Sequence, residues 1–152
     1  MIKFKPYIIF VLVALGVGGL SALITKNNMN IYSTIITPPL SPPGFLFPIV
    51  WTILYLLMGV SAALVYTAEK KWNASLTVWC IQLGFNFFWS ILFFYFKAFL
   101  ISFIWLIGLL ALIVTMIIMF NKYRKSASYL QTPYLLWVVF AGYLNFSIYL
   151  LN

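Results

Sequence analysis

The sequence predicts an all-α fold: an integral membrane bundle of five transmembrane helices, with a long proline-rich loop between the first and the second. Three observations predict it. Of 152 residues, 65% are hydrophobic and only 7% charged, with a mean hydropathy of +1.09, whereas about a quarter of the residues of a soluble domain carry charge. Apolar runs of about 20 residues, the length that crosses a bilayer as a helix, recur near 7–25, 47–67, 74–95, 99–120 and 133–151. Four of the seven prolines are crowded into residues 38–43, where the missing N–H groups and fixed φ forbid a helix interior. No soluble domain is left over, so residues 1–152 read as one transmembrane domain.

The first run follows Lys3, Lys5 and Pro6 and has the outline of a signal peptide. It is nevertheless long enough to span, and further spans follow, so it reads as a mature helix. Ala14, Gly18 and Ala22 recur at four-residue spacing, with Gly16 and Gly19 beside them. Small residues let helix backbones approach where lipid supplies no hydrophobic drive. Packing within the bundle is the favoured use of this seam, and a homodimer contact is the other.

Residues 26–47 form the one long connection, too apolar and proline-rich for a floppy tether. It is expected to lie over the mouth of the bundle as a lid, with Tyr32 and Pro42 facing whatever the bundle holds. Pro48 sits where a first-turn proline is tolerated. Along the second span, Trp51, Tyr55, Met58 and Ala62 share one helical stripe. That stripe is expected to face inward, although Trp51 also suits an interfacial aromatic belt.

The third span puts Gln82, Asn86, Trp89 and Phe93 on one stripe. Amides inside a membrane need partners. Two uses stand level: hydrogen bonds between helices, or donors and acceptors for the polar edge of a mostly apolar ligand. The fourth span is the plainest, with Trp105 placed for either a pocket or lipid. Pro133 is expected to open the fifth, where Trp137, Ala141, Leu144 and Ile148 form a stripe whose small Ala141 leaves room beside the Trp137 ring. Asn145 again reads as interhelical glue or as ligand contact. The last three connections are short, so consecutive helices are expected to be antiparallel neighbours.

The run from Pro38 to Gly59, P-x-x-S-P-P-G-x-x-F-P-x-V-W-T-x-L-Y-x-x-M-G, closely resembles a motif of the TspO/MBR family, the tryptophan-rich sensory and translocator proteins. The third span, Gln82-x-x-x-Asn86-x-x-Trp89, and the fifth, P-Y-L-x-W-x-x-F-A-x-x-L-N from Pro133 to Asn145, resemble the same family. The chain departs from it in the loop, where Thr37, Leu40 and Phe45 replace a basic residue and two tryptophans. The resemblance implies a receptor or sensor that binds porphyrins and drug-like flat aromatic molecules, with a transporter of such molecules as the alternative. It also implies frequent homodimers and, for some members, light-dependent porphyrin breakdown. The ligand-binding candidates are Tyr32, Pro42, Trp51, Tyr55, Gln82, Asn86, Trp89, Phe93, Trp137, Ala141 and Leu144. Trp51 and Trp137 are the candidates for any photochemical step, and Trp72, in a loop, is expected to tolerate change.

The chain contains no His, and Glu69 is its one acid. General acid–base catalysis, carboxylate metal sites and a proton-coupled carboxylate are hard to build from such a set. No metal and no resident cofactor are expected. Porphyrin enters as ligand or substrate, and an iron-free ring needs no axial ligand. The net charge of +8 is spread over termini and short loops rather than clustered, so the expected partner is a lipid bilayer and not nucleic acid. Lys3, Lys5, Lys70, Lys71, Lys122, Arg124 and Lys125 fall on one side, and Lys26 and Lys97 on the other. The positive-inside rule then sets the N-terminus in the cytoplasm of a bacterial plasma membrane. Cys80, the single cysteine, excludes an internal disulfide.

Overall fold

A computed structural model describes residues 4–152, with all side chains but those of residues 29–32. Its elements are α1 (Lys5–Thr25), a 3-10 turn (Lys26–Ser33), α2 (Leu46–Glu69), α3 (Ala74–Ser90) continued by a π turn (Ile91–Tyr95), α4 (Phe99–Asn121) and α5 (Lys125–Leu151). No strand occurs among the described residues. Among the described residues five helices are long and apolar enough to cross a membrane, and large side chains such as Ile8, Leu12, Ile104 and Leu136 point outward. In water these would be a liability, whereas in a bilayer the lipid is their solvent.

Local chemistry explains where the helices begin and end. Pro6 lies in the first turn of α1, where its missing N–H is no loss. α2 stops at Lys70, whose left-handed φ of 59° lets its N–H donate to the Tyr66 carbonyl at 2.6 Å. Asn73 then caps α3, accepting from the N–H groups of Ser75 and Leu76, which spares two of the unpaired donors of a helix start.

The start of the fifth helix corrects the expectation from sequence. α5 begins at Lys125, two turns before Pro133, and the proline lies inside it. The early turns are drawn in by burial of Ala127, Ser128 and Gln131, and Ser61 of α2 donates to the Ala127 carbonyl at 2.7 Å. Pro133 lacks the N–H that would serve the Tyr129 carbonyl, yet the helix continues through it, and the neighbouring Thr132 Oγ1 donates to the Ser128 carbonyl at 3.3 Å.

The order of helices around the bundle is a second correction. α1 packs on α2, α2 on α5, α5 on α4 and α4 on α3, while α2 and α3 touch little through their backbones. A short connection makes two helices antiparallel but does not make them side-by-side neighbours. Large side chains on the inner stripes of α2 and α3 keep these two apart and let them meet across the interior, where Trp79 Nε1 donates to the Met58 carbonyl at 3.2 Å. By contrast α1 and α2 touch at the backbone. A Cβ added to Gly59 would lie 2.5 Å from Val11 Cα.

Candidate functional site

At the end of the bundle beneath the long connection lies a partly enclosed chamber of about 320 Å³, at the lower end of the roughly 300–1,000 Å³ of small-molecule pockets. α1 contributes Gly18, Ser21 and Ala22, and Lys26 follows at its C-terminus. The loop and the start of α2 contribute Gly44, Phe47, Pro48, Trp51 and Tyr55. α3 and its π turn supply Trp89, Ser90, Phe93 and Phe94, and α5 supplies Trp137, Ala141 and Leu144.

Seven of the residues expected at a ligand site from sequence are thus brought together: Trp51, Tyr55, Trp89, Phe93, Trp137, Ala141 and Leu144. Trp51 is no belt residue here. Its ring centroid lies 5.8 Å from that of Tyr55 and 6.5 Å from that of Trp89, while Trp89 stacks on Phe93 at 5.4 Å. Phe47 meets Trp137 edge-on at 5.9 Å. Such tilted and edge-on pairs are the favoured aromatic geometries, so the rings pack on one another as well as lining an apolar wall.

Gln82 and Asn86 take the other course left open for them. Both are buried away from the chamber wall and are joined through Tyr134: Asn86 Nδ2 donates to Tyr134 Oη at 2.9 Å, and Tyr134 Oη donates to Gln82 Oε1 at 2.7 Å. Tyr55 Oη, donating to Asn86 Oδ1 at 3.4 Å, links this network to the chamber. Asn145 is likewise committed to protein, accepting from Trp89 Nε1 at 3.0 Å and Ser102 Oγ at 3.1 Å and donating to the Phe99 carbonyl at 2.7 Å. Pro42 is half-buried in the loop and off the chamber wall. Tyr32 belongs to the 3-10 turn, but its side chain falls outside the described residues. Trp105 reaches neither pocket nor lipid with its polar edge, since it stacks on Phe85 at 4.3 Å and donates to the Phe85 carbonyl at 2.8 Å.

Several wall residues were not singled out from sequence. Phe94 joins Phe93 because the π turn, marked by the Phe96 N–H donating to the Ile91 carbonyl at 3.1 Å, displaces the helical register. Such insertions are frequent at functional sites. Gly18 lies beneath the Tyr55 ring, which fills the place of the absent Cβ, and Ala14 is fully buried. Ala14 and Gly18 of the small-residue seam of α1 are therefore used inside the bundle, whereas Gly16 and Gly19 face open space. Phe47 and Lys26 carry no sequence signal of their own, because only the fold brings the loop ends over the stripes.

The six tryptophans divide in an informative way. Trp72, Trp79, Trp89 and Trp105 each donate their indole N–H within the protein. Trp51 and Trp137 make no hydrogen bond with the described residues, and both line the chamber. A largely buried indole N–H normally finds a partner. These two differ from the other four in having no protein acceptor among the described residues.

The loop is fastened over this end of the bundle. Tyr143 Oη donates to the Pro39 carbonyl at 2.7 Å, the Ile36 N–H donates to Asn152 Oδ1 at 3.1 Å, and Asn152 Nδ2 donates to the Ile36 carbonyl at 2.9 Å. Ser41 Oγ closes a turn on the Pro38 carbonyl at 2.7 Å.

A model of the TspO/MBR family matches residues 9–151. The tryptophan-rich protein TspO of Chlorobaculum tepidum is 40% identical over 142 residues, 91% of this chain and 89% of that one. A protein of the same description from Archaeoglobus fulgidus is 37% identical, over 93% and 94% of the two chains. The tryptophan-rich sensory protein of Cereibacter sphaeroides is 31% identical, over 80% and 76%.

Proposed function

The chain belongs to the TspO/MBR family, and from that premise and the chamber under its loop we propose a membrane receptor or sensor that binds porphyrins and other flat, drug-like aromatic molecules. The observation that carries this reading is the pairing of an aromatic wall with two uncommitted indole donors, Trp51 and Trp137. Flat rings gain from stacking on such walls, and the donors fix orientation at a few polar points, as in small-molecule sites generally. Trp51, Tyr55, Trp89, Phe93, Trp137, Ala141 and Leu144 are the contact residues. Gln82 and Asn86 support the site through Tyr134. The N-terminus lies in the cytoplasm of a bacterial plasma membrane and the loop outside, in keeping with Lys5, Lys70, Lys71, Lys122, Arg124 and Lys125 at one end of the bundle against Lys26 and Lys97 at the other.

The test is titration of the purified protein in neutral detergent with protoporphyrin, followed by quenching of Trp emission against empty micelles. Saturable quenching is expected. Ala141→Phe, which fills the space beside Trp137 on a wall the cavity already exposes, is expected to weaken binding at least about tenfold, or ~1.4 kcal/mol, while the protein remains folded. Equal affinity for both would move the site away from this chamber. Protein-dependent flux of protoporphyrin across proteoliposomes would favour the transporter reading instead. A second reading, light-driven breakdown of the bound ring, draws on the same two tryptophans: an electron-rich indole beside an excited porphyrin is a fitting electron donor.

A further inference from the structure

Lys26 is the one charged residue on the chamber wall among the described residues. It stands one residue past the end of α1, at the rim where the 3-10 turn begins. No acidic side chain of this chain is near enough to neutralise it. Glu69, the chain's one acidic residue, ends α2, whereas the chamber is built by the first turns of that helix. The 24 residues of α2 amount to roughly 36 Å at ~1.5 Å per residue, several times the screening length of about 8–10 Å in physiological salt.

The remaining polar equipment of the chamber leans the same way. Trp51 and Trp137 offer N–H groups, which can only donate. Among the described residues, Ser21 and Ser90 are the hydroxyls beside Tyr55 on the lining, and no carboxylate or side-chain amide lies there. An apolar, aromatic chamber with one cation and two fixed donors matches an occupant with an apolar flat body and acceptor oxygens at one edge.

We propose that Lys26 is a specificity-determining residue that makes the chamber select anionic amphiphiles, above all aromatic carboxylates, over neutral ligands of the same shape. The ammonium at the rim pairs with the carboxylate while the ring enters among Trp51, Trp89 and Trp137. Placement at the rim suits this role, because a rim carboxylate keeps part of its hydration and escapes the full desolvation cost of a buried ion pair. The mobile four-carbon stem of lysine also accepts carboxylates at differing positions.

This proposal rests on the chamber being the ligand site, and the experiment separates the two. Protoporphyrin and its dimethyl ester present the same ring, with and without negative charge. Each is titrated by Trp quenching into the full chain in neutral detergent at low salt, with empty micelles as blank. Wild type is expected to bind the acid about tenfold more tightly than the ester, a discrimination that shrinks as salt is raised. Lys26→Gln is expected to bring the acid to the affinity of the ester and leave the ester unchanged, Lys26→Arg to keep the discrimination, and Lys97→Gln, at the same end but off the chamber, to keep it as well. Equal binding of acid and ester by wild type, undiminished discrimination in Lys26→Gln, or its loss in Lys97→Gln would overturn the role of Lys26 while leaving the chamber as ligand site. Absence of saturable binding for both compounds would instead overturn the chamber reading, and this proposal with it.

Discussion

Tyr134→Phe is the change that best tests how the buried amides are used. It removes one oxygen and keeps the ring, so no packing void opens in a core where Tyr134 is fully buried. The lost hydroxyl accepts from Asn86 at 2.9 Å and donates to Gln82 at 2.7 Å. Asn86 Oδ1 keeps its contact with Tyr55 Oη at 3.4 Å, and Gln82 Nε2 keeps Met58 Sδ at 3.8 Å, so one atom of each amide is stranded and the other is not. Interhelical polar contacts in membranes average about 0.6 kcal/mol and reach about 1.7, and two of them therefore give a loss of about 1–3 kcal/mol. At roughly 2–4 °C per kcal/mol for a chain of this size, thermal unfolding in detergent, followed by circular dichroism, should move down by about 2–12 °C. Protoporphyrin affinity should change by less than about threefold, or ~0.7 kcal/mol, because the network lies behind the chamber wall. An unchanged melting temperature together with a large loss of affinity would refute the reasoning and turn Gln82 and Asn86 into ligand contacts.

Three further outcomes are expected. Gln131 is fully buried and both of its amide atoms lack a hydrogen-bond partner among the described residues, so Gln131→Met should raise stability by about 1–3 kcal/mol, read in the same melts; a fall would mean that an ordered water serves the amide. Trp51→Phe and Trp137→Phe should each retain measurable protoporphyrin binding but slow any light-driven bleaching that exceeds that in empty micelles, and wild-type-like bleaching in both would remove these residues from the photochemistry. Trp72→Phe is a control for Trp number at the far end of the bundle, although it is not a free position as its loop suggested: Trp72 stacks on Phe10 at 6.4 Å and donates to Thr77 at 2.9 Å, so its own melt must be measured. Leu40, 81% exposed at the tip of the loop, should label as Leu40→Cys from outside intact cells when Cys80 has been replaced by Ala; labelling only after lysis would invert the orientation.

The sequence by itself determined the fold class, the five spans and the aromatic content of the chamber. Hydropathy and the run length needed to cross a bilayer are properties of single segments, and the stripes of Trp51 and Tyr55, of Trp89 and Phe93, and of Trp137, Ala141 and Leu144 follow from helical periodicity alone. What periodicity leaves undecided is what lies opposite each stripe. Gln82 and Asn86 share a stripe with Trp89, yet one turn of depth puts them on Tyr134 of α5 while Trp89 reaches the cavity. Only the tertiary structure decided that, because α2 and α3 are held apart across the interior and α5 fills the lower part of the gap. The same holds for the start of α5, drawn two turns before Pro133 by burial against Ser61, and for Phe94, brought to the wall by a π turn that no residue type announces. Lys26 is the plainest case. In the sequence it is one basic residue after an apolar run, and it becomes the only charge among the described residues of the chamber wall because the long connection folds back over the helix ends.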